Sequence, residues 1–300
     1  MSNVRRFPAI SLSLLAVVGL ALAACGSDDD DEATTNTTTS AGTVGGDDAI
    51  VELHEYAYEV SGKLRPGGTL RVRNTGDEFH MMGLAKLKAG KTFEDAKAAL
   101  FSEDEADDGE VMDQAHMPGH FIGPGSEAGI TVPGLEPGTY VMACFINVEG
   151  EETPHFAKGM VDQIEVVDHD AAAPEADATY VTAKGQAVTG PATLTAGRHV
   201  LKIEAGTDAG DLEPGLYKLN PGTTVEQFGK AAELLEEGFP EDAPSKLPGR
   251  VVIGMFDFVD IPAVYLDVDL DPGTYVLVAD DTDDEDEPLV PVEMIQITVT

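Results

Sequence analysis

The sequence predicts an all-β protein built from two tandem β-sandwiches, each with a short inserted helix. Short runs of alternating apolar and polar residues recur along the chain, and Pro-Gly turns separate them. The stretch Leu135-Glu-Pro-Gly-Thr-Tyr-Val141 returns as Leu270-Asp-Pro-Gly-Thr-Tyr-Val276, which indicates an internal duplication. Short antiparallel strands joined by tight turns pack as two facing sheets, so we expect one sandwich in each half.

The first 47 residues are predicted to lie outside the fold. Arg5 and Arg6 precede an apolar stretch over 10–22 that is too short to span a membrane. Cys25 follows Leu-Ala-Ala, which resembles a bacterial lipobox. We therefore expect residues 1–24 to be a lipoprotein signal peptide and Cys25 to carry the lipid. This places the protein on the extracytoplasmic face of the cell membrane, held by the lipid anchor only. The acidic, Thr-rich residues 25–47 are predicted to be a disordered tether.

The first folded half is predicted to span residues 48–167. Thr92 with Asp95 three residues later forms a capping-box pattern, so a helix is expected over 92–101. Residues 102–128 are rich in acidic residues, Gly and Pro, and are expected to be mostly loop. Alternation and turn residues predict the strands at 49–60, 69–74, 79–84, 130–132, 139–145 and 160–167.

The second half follows a linker at 168–177 and is predicted to span residues 178–300. Thr224 and Gln227 repeat the capping pattern and predict a second helix. Alignment of the two halves places Leu212 opposite His80 and Ala279 opposite Cys144. The second half is therefore predicted to be a degenerate copy of the first, without metal ligands.

The chain is strongly acidic, with a formal net charge of −37 over 300 residues. This charge excludes nucleic acid as a natural partner and disfavours anionic lipid surfaces. It fits either solubility in a salty medium or docking to a partner protein with a basic face. The sequence contains no nucleophile elbow, phosphate-binding loop or HExxH motif, so we expect the protein not to be an enzyme.

Cys144 has no disulfide partner if Cys25 is lipidated, because the chain has two cysteines. A lone thiol in an exported protein is either a buried small apolar residue or a metal thiolate. His155 and Met160 follow in a loop, and His80 lies in an earlier strand. Thiolate, imidazole and thioether together are the donors of a mononuclear copper site.

A strand that ends in Cys, a loop with a His, and Gly-Met before the last strand resemble the cupredoxin family of plastocyanin and azurin. The resemblance implies a Greek-key sandwich for both halves and one copper ion in the first. It implies His80, Cys144 and His155 as the strong ligands and Met160 as the weak axial one. The ten residues between Cys144 and His155 exceed the family's usual spacing, whereas the four between His155 and Met160 match it.

Other interpretations stay open at this point. The first half could be metal-free, with a buried Cys144 and two solvent-facing histidines, or it could bind zinc, for which a thioether is a poor ligand. A second soft-donor cluster, formed by Met112, His116, Met117 and His120, could accept Cu(I) transiently, supply His120 to the main site in place of His80, or have no role. The corresponding functions are one-electron transfer to a partner, copper binding or delivery without a redox role, and metal-free binding at the cell surface.

Overall fold

A computed structural model describes residues 49–102, 106–114, 119–147, 153–168, 172–183, 186–206, 212–236, 248–256, 262–281 and 293–300. The predicted signal peptide, Cys25, the tether, His116 and Met117 lie outside the described residues. Within these ranges, no helix is long and apolar enough to cross a membrane.

The first half contains nine strands and three helices among its described residues. They are β1 (Ala49–His54), β2 (Ala57–Ser61), β3 (Thr69–Asn74), β4 (His80–Leu87), α1 (Phe93–Leu100), α2 (Ala106–Val111), β5 (Met112–Gln114), β6 (Gly119–Ile122), β7 (Glu127–Thr131), β8 (Gly138–Ala143), α3 (His155–Lys158) and β9 (Val161–Val166). The predicted helix at 92–101 is confirmed as α1, because Thr92 and Asp95 form the complete capping box.

The second half repeats this plan. Its described elements are β10 (Ala178–Ala183), β11 (Gln186–Thr189), β12 (Thr193–Leu194), β13 (Gly197–Ala205), β14 (Leu212–Leu219), α4 (Val225–Glu236), β15 (Gly249–Phe256), β16 (Ala263–Leu270), β17 (Gly273–Asp281) and β18 (Glu293–Val299). Thr224 and Gln227 bond reciprocally at the start of α4, as their spacing predicts.

Two facing sheets run through both halves, which confirms the predicted all-β sandwich. In the described part of the chain, one sheet has the strand order β11-β10-β13-β16-β7-β3-β1-β2. The other has the order β12-β18-β17-β14-β15-β6-β4-β8-β9, with β5 paired beside β4. Buried side chains from both sheets form one continuous apolar core, which accounts for the alternating burial of strands such as β1 and β3.

Corresponding strands pair in the same way in each half. β1 runs parallel to β3, as β10 does to β13. β4 lies between β6 and β8, as β14 lies between β15 and β17. Side-chain details also repeat, since Tyr140 donates to the carbonyl of Glu136 and Tyr275 donates to that of Asp271. The structure thus shows the duplication that the repeated motif indicates.

The halves join edge to edge through two antiparallel strand pairs. β6 pairs with β15 in one sheet, and β7 pairs with β16 in the other. Arg71 reinforces the second junction, because its guanidinium donates to Asp267 at 2.7 Å across the two halves. The structure therefore has two sheets that are continuous across the duplication.

Two local predictions were wrong. The strand expected over 49–60 is a hairpin of β1 and β2, because the chain turns at Tyr56, whose φ of 61° is rare for a non-glycine residue. Residues 102–128, expected to be mostly loop, contribute α2, β5, β6 and the start of β7. Pairing with β4 and β15 stabilises the short strands β5 and β6. Gly and Pro therefore mark where a short strand ends and do not indicate a continuous loop.

Candidate metal centre

Three predicted ligands come together at one end of the core. His80 opens β4, Cys144 directly follows β8, and His155 opens α3. One donor atom from each lies within 4.8 Å of the others, and all three side chains are buried. The Cys144 sulfur lies 3.6 Å from Nδ1 of His155. The alternative of two solvent-facing histidines is wrong, since the exposed fractions are 0% for His80 and 1% for His155.

The strand register explains why Cys144 and His80 meet. β4 and β8 are antiparallel neighbours, with Gly83 opposite Ala143. Cys144 therefore continues β8 toward the end of β4 where His80 lies. The main-chain N–H of Met81 donates to the Cys144 sulfur at 3.2 Å, and the hydroxyl of Tyr58 donates to the carbonyl of Met81 at 2.5 Å. Tyr58 thus fixes the residue that donates to the sulfur.

The long segment between Cys144 and His155 is closed at its base. His155 N–H donates to the carbonyl of Ile146, and Phe156 N–H donates to that of Cys144. Asn147 and Pro154 form the last bridge before residues 148–152, which are outside the described ranges. These two backbone hydrogen bonds hold the segments of Cys144 and His155 side by side, and the additional residues of the loop come after them.

Met160 lies next to this arrangement. Its main-chain N–H donates to the carbonyl of His155, and its carbonyl accepts from the N–H of Cys144. The side chain is fully buried in the apolar core that also contains Cys144. Gly159, with a φ of 123°, makes the turn from α3 into β9 that allows this.

The turn that carries His80 is held by Asn74, which is almost fully buried. Its side-chain amide donates to the carbonyls of Glu78 and Ile122, and its carbonyl oxygen accepts from the N–H of Gly76. The sequence indicated only a turn at 74–76. The structure shows that Asn74 ties this turn to β6 and so positions His80.

Glu78 and Tyr56 surround His155, and the sequence did not indicate either of them. A carboxylate oxygen of Glu78 lies 3.1 Å from Nε2 of His155, a close polar contact that lacks the alignment of a hydrogen bond. The Tyr56 ring packs edge-on against the imidazole, with 5.0 Å between ring centroids. Both residues reach the site through turns, so their spacing carries no signal in the sequence.

Burial keeps both imidazoles neutral, which is the form in which a ring nitrogen binds a metal. It lowers the pKa of His80 to about 4, with the nearby His155 acting in the same direction. It also lowers the pKa of His155, so both imidazoles are neutral at pH 7. Burial raises the pKa of the Cys144 thiol to about 11, and a metal must therefore displace its proton.

The donor set fits a metal ion. Both ring nitrogens of His80 are buried and lack a hydrogen-bond partner among the described residues, which is costly unless an ion or water satisfies them. At zinc-site bond lengths of about 2.3 Å to sulfur and 2.0 Å to nitrogen, a sulfur and a nitrogen that bind the same ion lie roughly 3.6 Å apart. The 3.6 Å between the Cys144 sulfur and Nδ1 of His155 matches this separation. Two imidazoles, a thiolate and a nearby thioether suit copper better than zinc.

The second predicted cluster does not assemble as one site in the described residues. Met112, on β5, packs with Ala96 and Val141 in a separate apolar cluster beside α1. His120, on β6, is fully buried, and burial lowers its pKa to about 3. His116 and Met117 lie outside the described residues.

The second half lacks the donor at the matching position. Gly215 lies opposite Val278, as Gly83 lies opposite Ala143. The register therefore aligns Ala279 with Cys144, as the sequence alignment predicts. Ala279 is buried in the core, so the fold accommodates a small apolar residue where the first half has a thiol.

No protein-family model and no curated protein sequence matches the chain. Solved structures with similarity include reduced auracyanin from Roseiflexus castenholzii, with 20% identity, 40% of this chain and 96% of that chain covered, and a TM-score of 0.26. A multicopper oxidase matches with 14% identity, 84% and 88% coverage, and a TM-score of 0.21. Copper nitrite reductase from Nitrosomonas europaea matches with 14% identity, 84% and 93% coverage, and a TM-score of 0.20. The β-sandwich itself is established by the two facing sheets described above.

Proposed function

We propose that this protein is a type 1 copper protein that transfers single electrons and acts as a carrier, not an enzyme. The observation that carries the proposal is the buried group of His80, Cys144 and His155, whose donor atoms lie within 4.8 Å of one another. Copper, when bound there, would supply the one-electron couple between Cu(II) and Cu(I). Thiolate and thioether favour Cu(I), while imidazole suits both states.

The chain contributes a rigid, water-poor site. Backbone hydrogen bonds join Cys144 to Met160 and Met160 to His155, and a further bond joins Phe156 to Cys144. The predicted ligands Cys144, His155 and Met160 therefore lie on one hydrogen-bonded unit. A site that moves little between oxidation states needs little reorganisation when the electron transfers. Apolar residues that include Met82 and Met142 pack in the same core and exclude water, which also affects the reduction potential.

An aromatic rim gives the electron an exit toward solvent. Phe145 and Phe156 directly follow Cys144 and His155, and their ring centroids are 5.3 Å apart. Phe156 also contacts Phe101, at 5.5 Å, and Phe79, Phe101 and Phe145 are exposed. His155 itself is buried, and these neighbouring rings form an apolar edge beside it. The acidic chain suits a redox partner with a basic docking face.

The proposed location is the extracytoplasmic face of the cell membrane. It rests on the Leu-Ala-Ala-Cys25 lipobox resemblance and on the short apolar segment before it. The lipid on Cys25 would anchor the protein, and the acidic residues 25–47 would let the folded part reach a partner. Mass spectrometry of the mature N-terminus would show a diacylated Cys25, whereas cleavage elsewhere would contradict the anchor.

Addition of Cu(II) to the purified protein tests the electron-transfer proposal. We expect one equivalent to bind and to produce an intense visible band from thiolate-to-copper charge transfer. Binding of Cu(I) with no such band for Cu(II) would contradict electron transfer and support copper delivery. Absence of stoichiometric binding in either oxidation state would contradict both functions and leave a metal-free binding protein.

Replacement of Glu78 by glutamine is expected to weaken Cu(II) binding about tenfold, as removal of an outer partner of a ligating histidine does. The carboxylate next to His155 favours the more highly charged Cu(II), so its loss should also raise the reduction potential. Competition titration and potentiometry measure the two effects. Glu165→Gln is the matched control, because it removes the same charge from an exposed residue that pairs with Lys63. Equal shifts in both variants would assign the effect to net charge alone.

A further inference from the structure

His120 is a buried imidazole that the proposed Cys144 centre does not use. Its exposed fraction is 0%, and neither ring nitrogen has a hydrogen-bond partner among the described residues. An imidazole needs at least one partner for its N–H and one for its free nitrogen. Buried polar groups that lack both are rare and require an explanation such as an ion.

A soft donor, Met82, lies beside His120 by strand register. β4 and β6 are antiparallel, and Met82 lies directly opposite His120. Opposite residues of such a pair point to the same face of the sheet, with Cβ atoms about 5 Å apart. Met82 is also fully buried, as part of the apolar core. On the other side of His120, the backbone register places Met255 of β15 opposite it.

We infer that His120 and Met82 form a second metal site, which binds Cu(I). Thioether and imidazole are ligands that Cu(I) accepts. Both are neutral, and the cost of burying an ion rises with the square of its charge. A monovalent soft ion therefore suits this apolar location better than Zn(II) or Cu(II).

This site is distinct from the Cys144 centre, although it shares the same sheet. β6, β4 and β8 are consecutive strands, and neighbouring strands lie about 4.8 Å apart. The register that sets Gly83 opposite Ala143 brings Cys144 to the far side of Met82 from His120. The backbones at His120 and Cys144 are thus separated by about 10 Å, and His120 is not among the donor groups that lie within 4.8 Å of one another at the Cys144 centre.

Anaerobic Cu(I) titration of the full chain against a competing chelator tests the site. We expect the wild-type protein to bind one more equivalent than His120→Leu. The Cys144→Ser variant should retain an equivalent that the double variant Cys144→Ser/His120→Leu lacks, so the test does not depend on the Cys144 centre. Met82→Leu should weaken this equivalent at least about tenfold. Met294→Leu, which removes a thioether from β18, should leave it unchanged.

Nuclear magnetic resonance gives a second readout that a purely structural histidine would not show. Redox-inert Ag(I) should shift the ring nitrogen signals of His120 in the Cys144→Ser protein. Met82→Leu conserves volume and keeps the test valid if His120→Leu does not fold, as judged by circular dichroism. The site is refuted if Cys144→Ser binds no Cu(I), or if its bound equivalent survives both the His120→Leu and the Met82→Leu change.

Discussion

Replacement of Cys144 by serine is expected to abolish the visible absorption band and to lower copper affinity at least about a hundredfold. The band requires a thiolate bound to Cu(II), and a serine hydroxyl is both harder and far less acidic than a thiol. The side chain is fully buried and nearly equal in size to serine. The loss would thus reflect a missing donor, because the packing changes little.

The duplicated half provides the control for this substitution. Ala279 occupies the position that corresponds to Cys144 and is equally buried. Ala279→Ser also places a hydroxyl in the core, so it reports the cost of the polar group without removal of a ligand. We expect Ala279→Ser to keep the band. If both variants lose it, the effect is global destabilisation; if Cys144→Ser keeps it, Cys144 is not the thiolate ligand.

Proton release on copper binding tests the role of Cys144 without use of the visible absorption band. Burial raises this pKa to about 11, so the thiol is protonated in the metal-free protein at pH 7. Metal binding to a thiolate must then release that proton. Copper uptake in weakly buffered solution should therefore acidify the wild-type sample, and this release should be absent from Cys144→Ser.

The sequence predicted the strands, the two capped helices and the ligand candidates because these features depend on local order. Thr92 and Asp95, for example, bond across three residues, and His80 lies within the predicted strand at 79–84, although in the structure it opens β4. Glu78, Asn74 and Tyr56 were missed as site residues because their contacts arise from turns that bring distant segments together. The position of Tyr56 depends on a positive φ that no residue pattern announces.

The predicted cluster of Met112, His116, Met117 and His120 shows that closeness in the sequence can also mislead. Met112 and His120 are close in sequence and share soft-donor chemistry, which suggests one site. β5 pairs with the end of β4 near Leu87, whereas β6 pairs with its beginning near His80. Spacing along the chain therefore grouped residues that the sheet separates, and the register revealed Met82 as the neighbour of His120.

The way the halves join suggests a role for the half that lacks ligands. β6 and β7 of the first half would be open sheet edges without β15 and β16. Unpaired edges invite association with other chains and fray easily. The second half pairs both edges, and Ser126 donates to the carbonyl of Val251 across the junction. His120 lies on β6, so β15 of the second half pairs with the strand that carries the proposed Cu(I) site.

Substitution of Ile130 or Leu266 by alanine is expected to lower the free energy of unfolding by about 3 kcal/mol each, as truncation of a fully buried aliphatic side chain does. Ile130 lies on β7 and Leu266 on β16, directly opposite each other at the junction of the halves. Because both sheets continue through this junction, each variant should unfold in a single transition, as measured by circular dichroism in denaturant.

Double-mutant cycles distinguish a shared core from two independent ones. The Ile130/Leu266 pair should show a coupling energy of about 1 kcal/mol, since the two side chains are neighbours. Ile130 combined with Ile297, a buried residue on β18, should be additive and serves as the control.

Copper at 100 times its Kd should stabilise the single unit by about 2.7 kcal/mol, and hydrogen exchange should slow in β17 as well as in β8. Two separate transitions, with copper protecting β8 alone, would show that the halves fold independently and that the second half does not support the metal centre.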